Sequence, residues 1–228
     1  QFCEEKNIAF IEDACQALGA SLNGVKAGTI GDISTLSFNA NKVVAGISGG
    51  GAVLTDNKEH AETIKKLRKH GNNEMLGYNS KMLLMNAKFI DHRLKKIDDY
   101  QEKRQAVAKK YDKQLEKHVT IQPSTNGLNH NYHKYVIRLQ NKEIRDKLKE
   151  KLNAKVHYNK PLSENSMYKN IGHRKDSTLI SQTVCDTVLT LPIDPFMTDV
   201  DINKIVNIIL IVLAQEENKF LDNMKKLL

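Results

Sequence analysis

Short apolar runs separated by polar turns make up the first 57 residues of the chain. Such runs, bounded by glycines or polar residues, are typical of strands. They predict three strands, over residues 9–11, 33–38 and 51–55. Their shortness and apolar character favour a buried, mostly parallel sheet. A short helix is predicted near residues 14–18 and a longer one over residues 58–69.

From residue 82 to about residue 118, apolar side chains recur mostly every three or four positions, which is the helical period. We expect one long helix here, or two helices joined near Asp98. A second unit follows, in which predicted strands and helices alternate, as in an α/β protein. These are strands over residues 132–139, 155–158 and 190–193, and helices over residues 142–152, 179–188 and from Asp199 to the end.

The composition is that of an ordinary globular protein, with 40% hydrophobic and 27% charged residues among 228. Its three cysteines are few, unevenly spaced and odd in number, which argues against a disulfide framework and favours a reducing compartment. The longest apolar run, residues 205–214, is shorter than the roughly 20 residues that cross a bilayer, and no signal peptide is recognisable. We therefore expect a cytoplasmic protein without a membrane partner. The histidines show no ligand spacing, so we expect no metal site.

Polar side chains stand where two of the predicted strands end. Glu12 and Asp13 follow the first strand, and Ser37 closes the second. In open α/β sheets, ligands bind in the crevice beyond the carboxyl ends of the strands. A loop then carries Lys42, and the glycines at 46 and 49–51 give the backbone beside it conformational freedom. This layout predicts a cofactor site.

The chemistry of the two charged residues agrees with that prediction. A lysine can form a Schiff base once its ammonium loses a proton, and a partly desolvated position promotes that loss. A carboxylate such as Asp13 can hold a pyridinium nitrogen protonated, which lets a pyridoxal ring withdraw electrons. Lys42 and Asp13 are therefore the candidate reactive pair.

Four segments carry a resemblance to a known family. The first runs EDACQALGA from Glu12 and continues with Gly31-Asp32, Ser37-Phe38 and Lys42, five residues after the serine. The others are GYNSKM from Gly77, HYNKPL from His157 and LTLPIDP from Leu189. Together they resemble the DegT/DnrJ/EryC1/StrS family of sugar aminotransferases. These are pyridoxal-phosphate enzymes of the aspartate-aminotransferase fold, known as fold type I.

The resemblance implies roles for the residues of the first segment. Lys42 would be the lysine that binds pyridoxal 5'-phosphate covalently, and Asp13 would pair with the pyridine nitrogen. Gln16 would reach the ring hydroxyl, and Ser37 would contact the phosphate. Lys42 would also be the catalytic residue.

The later segments imply a partner and a substrate region. Asn79 would reach the phosphate bound by a neighbouring subunit, which implies a homodimer with shared active sites. His157 and Tyr158 would lie near the substrate.

The resemblance also implies a fold and a reaction. Residues 1–95 would be the C-terminal part of the large cofactor-binding domain, and residues 96–228 the small α/β C-terminal domain. The enzyme would transfer an amino group, from glutamate as in the family, to a nucleotide-linked keto-sugar. Such a reaction serves amino-sugar and surface-polysaccharide biosynthesis, lipopolysaccharide included.

The net charge of +8 is compatible with such a substrate. Its excess falls mainly on the helical middle of the chain, where lysines are interspersed with acidic residues. We interpret this distribution as solvated helix faces and expect no nucleic-acid partner, because no recognition motif accompanies the lysines. A basic rim that attracts an anionic sugar nucleotide fits the same distribution.

Two positions and one short segment depart from the family pattern. Lys81 stands where an arginine is usual, and Ser163 stands where a second histidine is usual, so both affect substrate contacts. Residues 47–50, ISGG, replace the commoner GEGG but still supply small residues where a backbone must approach closely. None of the departures touches Lys42 or Asp13.

Two alternatives stay open. Members of the family are considerably longer and place an earlier half of the large domain ahead of such a stretch, so we expect the chain to be a fragment. A complete chain would instead favour a non-catalytic binding protein. The other alternative is an enzyme of the same fold that acts on a non-sugar, such as an aminohydroxybenzoate-type synthase. A sugar dehydratase is disfavoured, because that branch carries histidine at the lysine position.

Overall fold

The computed structural model describes residues 1–168 and 178–227. The chain divides into two compact units, each built from two separate segments of the sequence. The first unit comprises Gln1–Glu102 and Ser124–His133, and the second comprises Lys103–Pro123 and Lys134–Leu228. The large and small domains predicted from the sequence, residues 1–95 and 96–228, have other bounds than these units and remain a prediction.

Helices and strands are distributed over both units. The helices are α1 (Phe2–Glu5), α2 (Lys58–Leu67), α3 (Leu84–Leu94), α4 (Ile97–Leu115), α5 (Lys142–Lys151), α6 (Leu179–Thr187) and α7 (Asp199–Leu227). The strands are β1 (Ile11–Asp13), β2 (Ser21–Leu22), β3 (Val25–Lys26), β4 (Ile33–Ser37), β5 (Gly51–Leu54), β6 (Leu128–Asn129), β7 (Tyr135–Arg138) and β8 (Val188–Leu191).

The central sheet of the first unit has the strand order β1-β4-β5. β1 and β4 run parallel, with Ile11 opposite Ile33, whereas β4 and β5 run antiparallel, with Ser37 opposite Gly51. The expectation of a buried, mostly parallel sheet is therefore wrong for these strands. A parallel pair needs a crossover, usually through a helix, and the chain between β4 and β5 has none. Burial is also partial, since Ile11 is 70% exposed.

A second small sheet covers part of the first unit. β2 and β3 form a hairpin around Asn23 and Gly24, where a turn is predicted. β6, from the segment that returns to this unit, pairs antiparallel with β2. The predicted short helix at residues 14–18 is instead a pair of turns, closed by bonds from Ala17 N–H to Ala14 and from Ala20 N–H to Ala17.

The helical middle of the chain forms two helices, the second of the two predicted arrangements. α3 ends at Leu94 and α4 begins at Ile97, so the break falls at Lys95 and Lys96, just before Asp98. α2 follows its predicted range closely. Its N-terminus is capped by the side-chain oxygen of Asn57, which accepts from the N–H groups two and three residues further on.

The second unit has its own core around one antiparallel strand pair. β7 pairs with β8, with Tyr135 opposite Leu191. The predicted strand at residues 155–158 is reduced to a single bridge between Lys155 and Thr190, because the chain turns at His157. Its completely buried side chains include Ile137, Leu148, Leu189 and Ile209, which come from both strands and helices.

α7 buries one face rather than its whole circumference. Val206, Ile209 and Val212 are buried, whereas Ile211 is 57% exposed. The expectation of a buried helix over residues 205–214 is thus correct for one face. In the described part of the chain, none of the helices combines the length and the apolar composition needed to span a membrane.

Candidate active site

Asp13 and Ser37 lie at the same edge of the central sheet. β1 ends at Asp13 and β4 ends at Ser37, and the two strands run parallel with Asp13 opposite Thr35. The carboxyl ends of parallel strands share an edge, and ligands bind beyond that edge in α/β sheets. The Asp13 side chain is exposed and Ser37 is half-buried, so both can be reached by a ligand.

The environment of Asp13 favours its charged form. Its Oδ1 accepts hydrogen bonds from the Cys15 N–H at 3.1 Å and from the Thr35 hydroxyl at 3.4 Å. Hydrogen bonds from the Cys15 side chain and main chain, aided by Thr35 and by the positive charge of Lys42, hold the pKa of Asp13 below its ordinary value. The sheet edge therefore presents an anion, and the charge of Lys42 helps to keep it ionised.

Lys42 lies in a loop that leaves and rejoins the sheet at Phe38. The Phe38 N–H donates to the Gly50 carbonyl at 2.9 Å, and the Gly46 N–H donates to the Phe38 carbonyl at 2.8 Å. Phe38 is buried and packs with Val44 in the core of this unit. We call residues 39–45 the lysine loop. Because both of its ends are tied to one core residue, the loop has a fixed base.

Glu12, the neighbour of Asp13, is satisfied by four donors. Its carboxylate accepts from the N–H groups of Gly28 (2.6 Å), Ile30 (3.0 Å) and Gly31 (3.2 Å), and from the Ser34 hydroxyl (3.2 Å). Partial burial alone would raise the pKa of Glu12, but these bonds lower it. Glu12 therefore holds the loop before β4 against the end of β1. No local pattern predicts this role, because the donors lie 16 to 22 residues away.

Glutamine in place of Glu12 is expected to lower the free energy of unfolding by about 2 kcal/mol, because the new amide N–H₂ would face main-chain donors. Since the folded-state pKa is lowered, the stabilisation by Glu12 is complete above the ordinary value of 4.5 and is lost as the pH falls through the folded-state pKa. Urea unfolding of both proteins over a pH series measures the difference, which should shrink in acid.

Glu62→Gln is the matched control for this prediction. Glu62 is exposed and pairs with the exposed Lys65 on the same helix, so its replacement should change stability little. Equal effects of the two substitutions, or a Glu12 effect that stays constant from neutral to acidic pH, would contradict the role of the Glu12 carboxylate.

Gln16 has an exposed side chain on a main chain that is held from a distant segment. The buried Asn131 donates from Nδ2 to the carbonyls of Gln16 at 2.9 Å and of Leu18 at 3.1 Å. These bonds span more than 110 residues, so the sequence pattern contains no signal for them. They fix the turn that carries Gln16, three residues beyond the end of β1.

Asn79 lies in an exposed loop of the first unit. The loop closes back on the end of α2, where the Ser80 N–H donates to the Arg68 carbonyl at 3.1 Å and the His70 N–H donates to the Tyr78 carbonyl at 3.0 Å. The Asn79 main chain is thereby anchored while its side chain is open to solvent. This exposure suits contact with a partner, and the role itself remains a prediction.

His157 and Tyr158 belong to the second unit. The Nδ1 atom of His157 is 2.9 Å from the Thr190 hydroxyl, which orients the ring and leaves Nε2 for another group. Partial burial, together with the charges of Lys134 and Lys155, lowers the pKa of His157, so the neutral ring is favoured. Tyr158 is 67% exposed.

The first unit places a carboxylate and a lysine where they would suit pyridoxal phosphate. A carboxylate kept ionised suits a pyridinium nitrogen, and a lysine amine suits the aldehyde of the cofactor. Asp13 and Ser37 end neighbouring parallel strands, and Lys42 lies in the loop that follows Ser37. By contrast, within residues 1–168 and 178–227 no three His, Cys, Asp or Glu side chains form a group that could hold a metal ion.

Comparison with known proteins finds one aminotransferase family along most of the chain. The model of the DegT/DnrJ/EryC1/StrS aminotransferase family matches residues 1–210. An uncharacterized protein of Methanocaldococcus jannaschii is 32% identical, over 91% of this chain and 60% of that protein. A dTDP-3-amino-3,4,6-trideoxy-alpha-D-glucose transaminase of Micromonospora megalomicea is 27% identical, over 86% of this chain and 56% of that protein.

A solved structure extends the comparison to the fold. The crystal structure of a DegT/DnrJ/EryC1/StrS aminotransferase from Brucella abortus matches with a TM-score of 0.83 at 27% identity, over 91% of this chain and 58% of that one. The predicted fold type I architecture is confirmed, and the chain spans about 56–60% of the length of these three relatives. Enzymes of the family depend on pyridoxal phosphate. The chain belongs to the DegT/DnrJ/EryC1/StrS aminotransferase family.

Proposed function

We propose that this chain belongs to a pyridoxal-phosphate-dependent aminotransferase that transfers an amino group from glutamate to a nucleotide-linked keto-sugar. The observation that carries the proposal is the placement of Asp13 and Ser37 at the ends of two neighbouring parallel strands, with Lys42 in the loop tied at both ends to Phe38. The names of the relatives support the substrate class, since several are transaminases of dTDP- or UDP-linked amino sugars.

Four residues of the first unit have defined parts in this proposal. When bound, pyridoxal phosphate supplies an electron sink that makes the carbon next to the amino group acidic. Lys42 would hold the cofactor through its Nζ atom, and the amine would be the group that takes up and returns the proton. Asp13 would keep a proton on the ring nitrogen, Gln16 would bind the ring hydroxyl and Ser37 would bind the phosphate.

The second unit supplies the proposed substrate contacts. His157, held at Nδ1 by Thr190, presents Nε2 as a neutral hydrogen-bonding group. The exposed Tyr158 offers a hydroxyl and a ring face. We assign both to the sugar nucleotide. The product would enter amino-sugar and surface-polysaccharide synthesis, lipopolysaccharide included, and the enzyme would work in the cytoplasm.

The protein expressed from the complete gene tests this proposal directly. Incubation with glutamate and a panel of dTDP- and UDP-linked keto-sugars should yield a nucleotide-linked amino sugar together with 2-oxoglutarate, both measured by mass spectrometry. The same panel with Lys42→Ala protein is the control. A protein that converts an aromatic or aliphatic ketone but no keto-sugar would be an enzyme of the same fold with another substrate class.

The proposed role of Asn79 predicts that active sites are shared between subunits of a homodimer. Lys42→Ala and Asn79→Asp proteins should each be inactive, the second because its carboxylate repels the phosphate of the partner's cofactor. Mixing them should restore about a quarter of the wild-type activity, since half of the dimers are mixed and each contains one intact site. Activity after refolding the mixture, with dimers verified by sedimentation, is the measurement.

Lys42→Ala mixed with Asp13→Asn is the matched control for this experiment. Both of these residues serve the site of their own subunit, so every site in a mixed dimer keeps one lesion and no rescue should occur. A lack of rescue in the Asn79 mixture, despite mixed dimers, would show that Asn79 does not act across a subunit boundary. So would an active monomer.

A further inference from the structure

Asn86, near the start of α3, holds the segment that follows the lysine loop. Its Oδ1 accepts from the N–H groups of Ile47 at 2.8 Å and Ser48 at 3.5 Å, and its Nδ2 donates to the Gly49 carbonyl at 2.7 Å. The side chain is only 4% exposed, so these bonds are shielded from water. A side-chain amide suits this place because it donates and accepts at once.

The same segment approaches Asn86 too closely for side chains to intervene. A Cβ atom on Gly46 would lie 2.6 Å from the Oδ1 of Asn86 and 2.5 Å from the Gly49 carbonyl oxygen. On Gly50, whose φ is +134°, a Cβ atom would lie 2.6 Å from the end of the Met82 side chain. Glycine is required where a backbone approaches this closely. The backbone of residues 46–50 therefore packs directly on Asn86.

This segment forms one side of the base of the lysine loop. Gly46 and Gly50 are the two residues that hydrogen-bond to Phe38, and Asn86 holds the residues between them. Only residues 43–45 separate Lys42 from Gly46, and Val43 and Val44 are buried. A displacement of the base would therefore be transmitted to Lys42.

We propose that Asn86 is a positioning residue for Lys42: its amide fixes residues 47–49 and thereby sets the place from which the lysine amine reaches the cofactor. The inference rests on the proposed function, since only an enzyme that attaches its cofactor to Lys42 needs that lysine to be positioned. Reacting groups that are misplaced by about 1 Å can lose a hundredfold in rate. Its hydrogen bonds go to the main chain of residues 47–49, through which it would act on the lysine.

The test uses protein from the complete gene, freed of cofactor and then mixed with pyridoxal phosphate. Asn86→Asp replaces the Nδ2 donor by an oxygen that faces the Gly49 carbonyl, while an acceptor for the Ile47 N–H is kept. Attachment to Lys42 is followed by absorbance and is located by peptide mapping after borohydride reduction. We expect attachment to slow by about tenfold to a hundredfold.

Ile209→Val separates positioning from general stability. It removes one methyl group from the core of the second unit, where Ile209 is completely buried. Both variants are compared at temperatures equally far below their melting temperatures, and the control should attach the cofactor at the wild-type rate. An unchanged rate in Asn86→Asp, or equal slowing in both variants, overturns the proposal.

A measurement on the wild type applies if Asn86→Asp does not fold. In the cofactor-free protein, the Ile47 N–H should exchange with solvent deuterium as slowly as the paired N–H groups of β4. Fast exchange would show that Asn86 does not hold residues 47–49 and would overturn the proposal. Failure of the proposed function has a different signature. The wild type would then attach pyridoxal phosphate at another lysine or at none.

Discussion

Lys42→Ala protein is expected to lose transaminase turnover by roughly 10⁴-fold or more, because Lys42 is the group that would both hold the cofactor and move the proton. The characteristic absorbance of the lysine-bound cofactor should disappear as well. In the wild type, borohydride reduction should attach the cofactor permanently, and peptide mapping should find the label on Lys42. Steady-state assays and mass spectrometry of the complete gene product are the measurements.

Lys58→Ala is a suitable control for the lysine substitution. Lys58 is an exposed lysine at the first position of α2, and it takes no part in the lysine loop or the sheet edge. Its replacement should leave turnover, absorbance and labelling unchanged. A label on any lysine other than Lys42, or substantial turnover by the Lys42→Ala protein, would show that the site has been assigned to the wrong residue.

Asparagine in place of Asp13 is expected to reduce turnover by about 10²- to 10³-fold while the cofactor still attaches to Lys42. The amide is neutral, so it cannot hold a proton on the ring nitrogen, whereas attachment depends on the lysine. The hydrogen bonds from Cys15 that lower the pKa of Asp13 keep the wild-type carboxylate ionised well into acid. Parallel measurements of turnover and of absorbance distinguish the two effects.

The opposite edge of the same sheet provides the control for Asp13. Asp56 is exposed and follows β5, whose antiparallel direction places it away from the end that carries Asp13 and Ser37. Asp56→Asn changes the same chemical group and should leave turnover intact. If Asp13→Asn turned over at the wild-type rate, or also failed to attach the cofactor, its proposed part at the ring nitrogen would be wrong.

The elements predicted best from the sequence are those in which a periodic pattern of apolar residues extends over many positions. The helix expected over residues 142–152 is observed as Lys142–Lys151, because about three turns of amphipathic pattern leave few alternatives. Short apolar runs contain less information. The run at residues 51–55 predicted the strand β5, but its direction depends on the connection from β4, which no periodicity encodes.

The candidate site shows a similar division. Asp13, Ser37 and Lys42 were recognisable because they stand at strand ends and in a loop, and their order resembles a family motif. The roles of Glu12 and Asn86 were not recognisable, since each depends on hydrogen bonds to a distant segment of the chain. The Asn86 partners lie 37 to 39 residues away, and a buried asparagine in a helix has no sequence signature of its own.

The double attachment of the lysine loop to Phe38 bears on how this region can evolve. Because both hydrogen bonds that close the loop lie outside residues 39–45, substitutions at its exposed positions leave the sheet and its core unaltered. An insertion or deletion is different, since each residue spans about 3.8 Å and would carry the lysine away from the sheet edge. Relatives that keep a lysine at this place should therefore vary in the composition of the loop while its length stays constant.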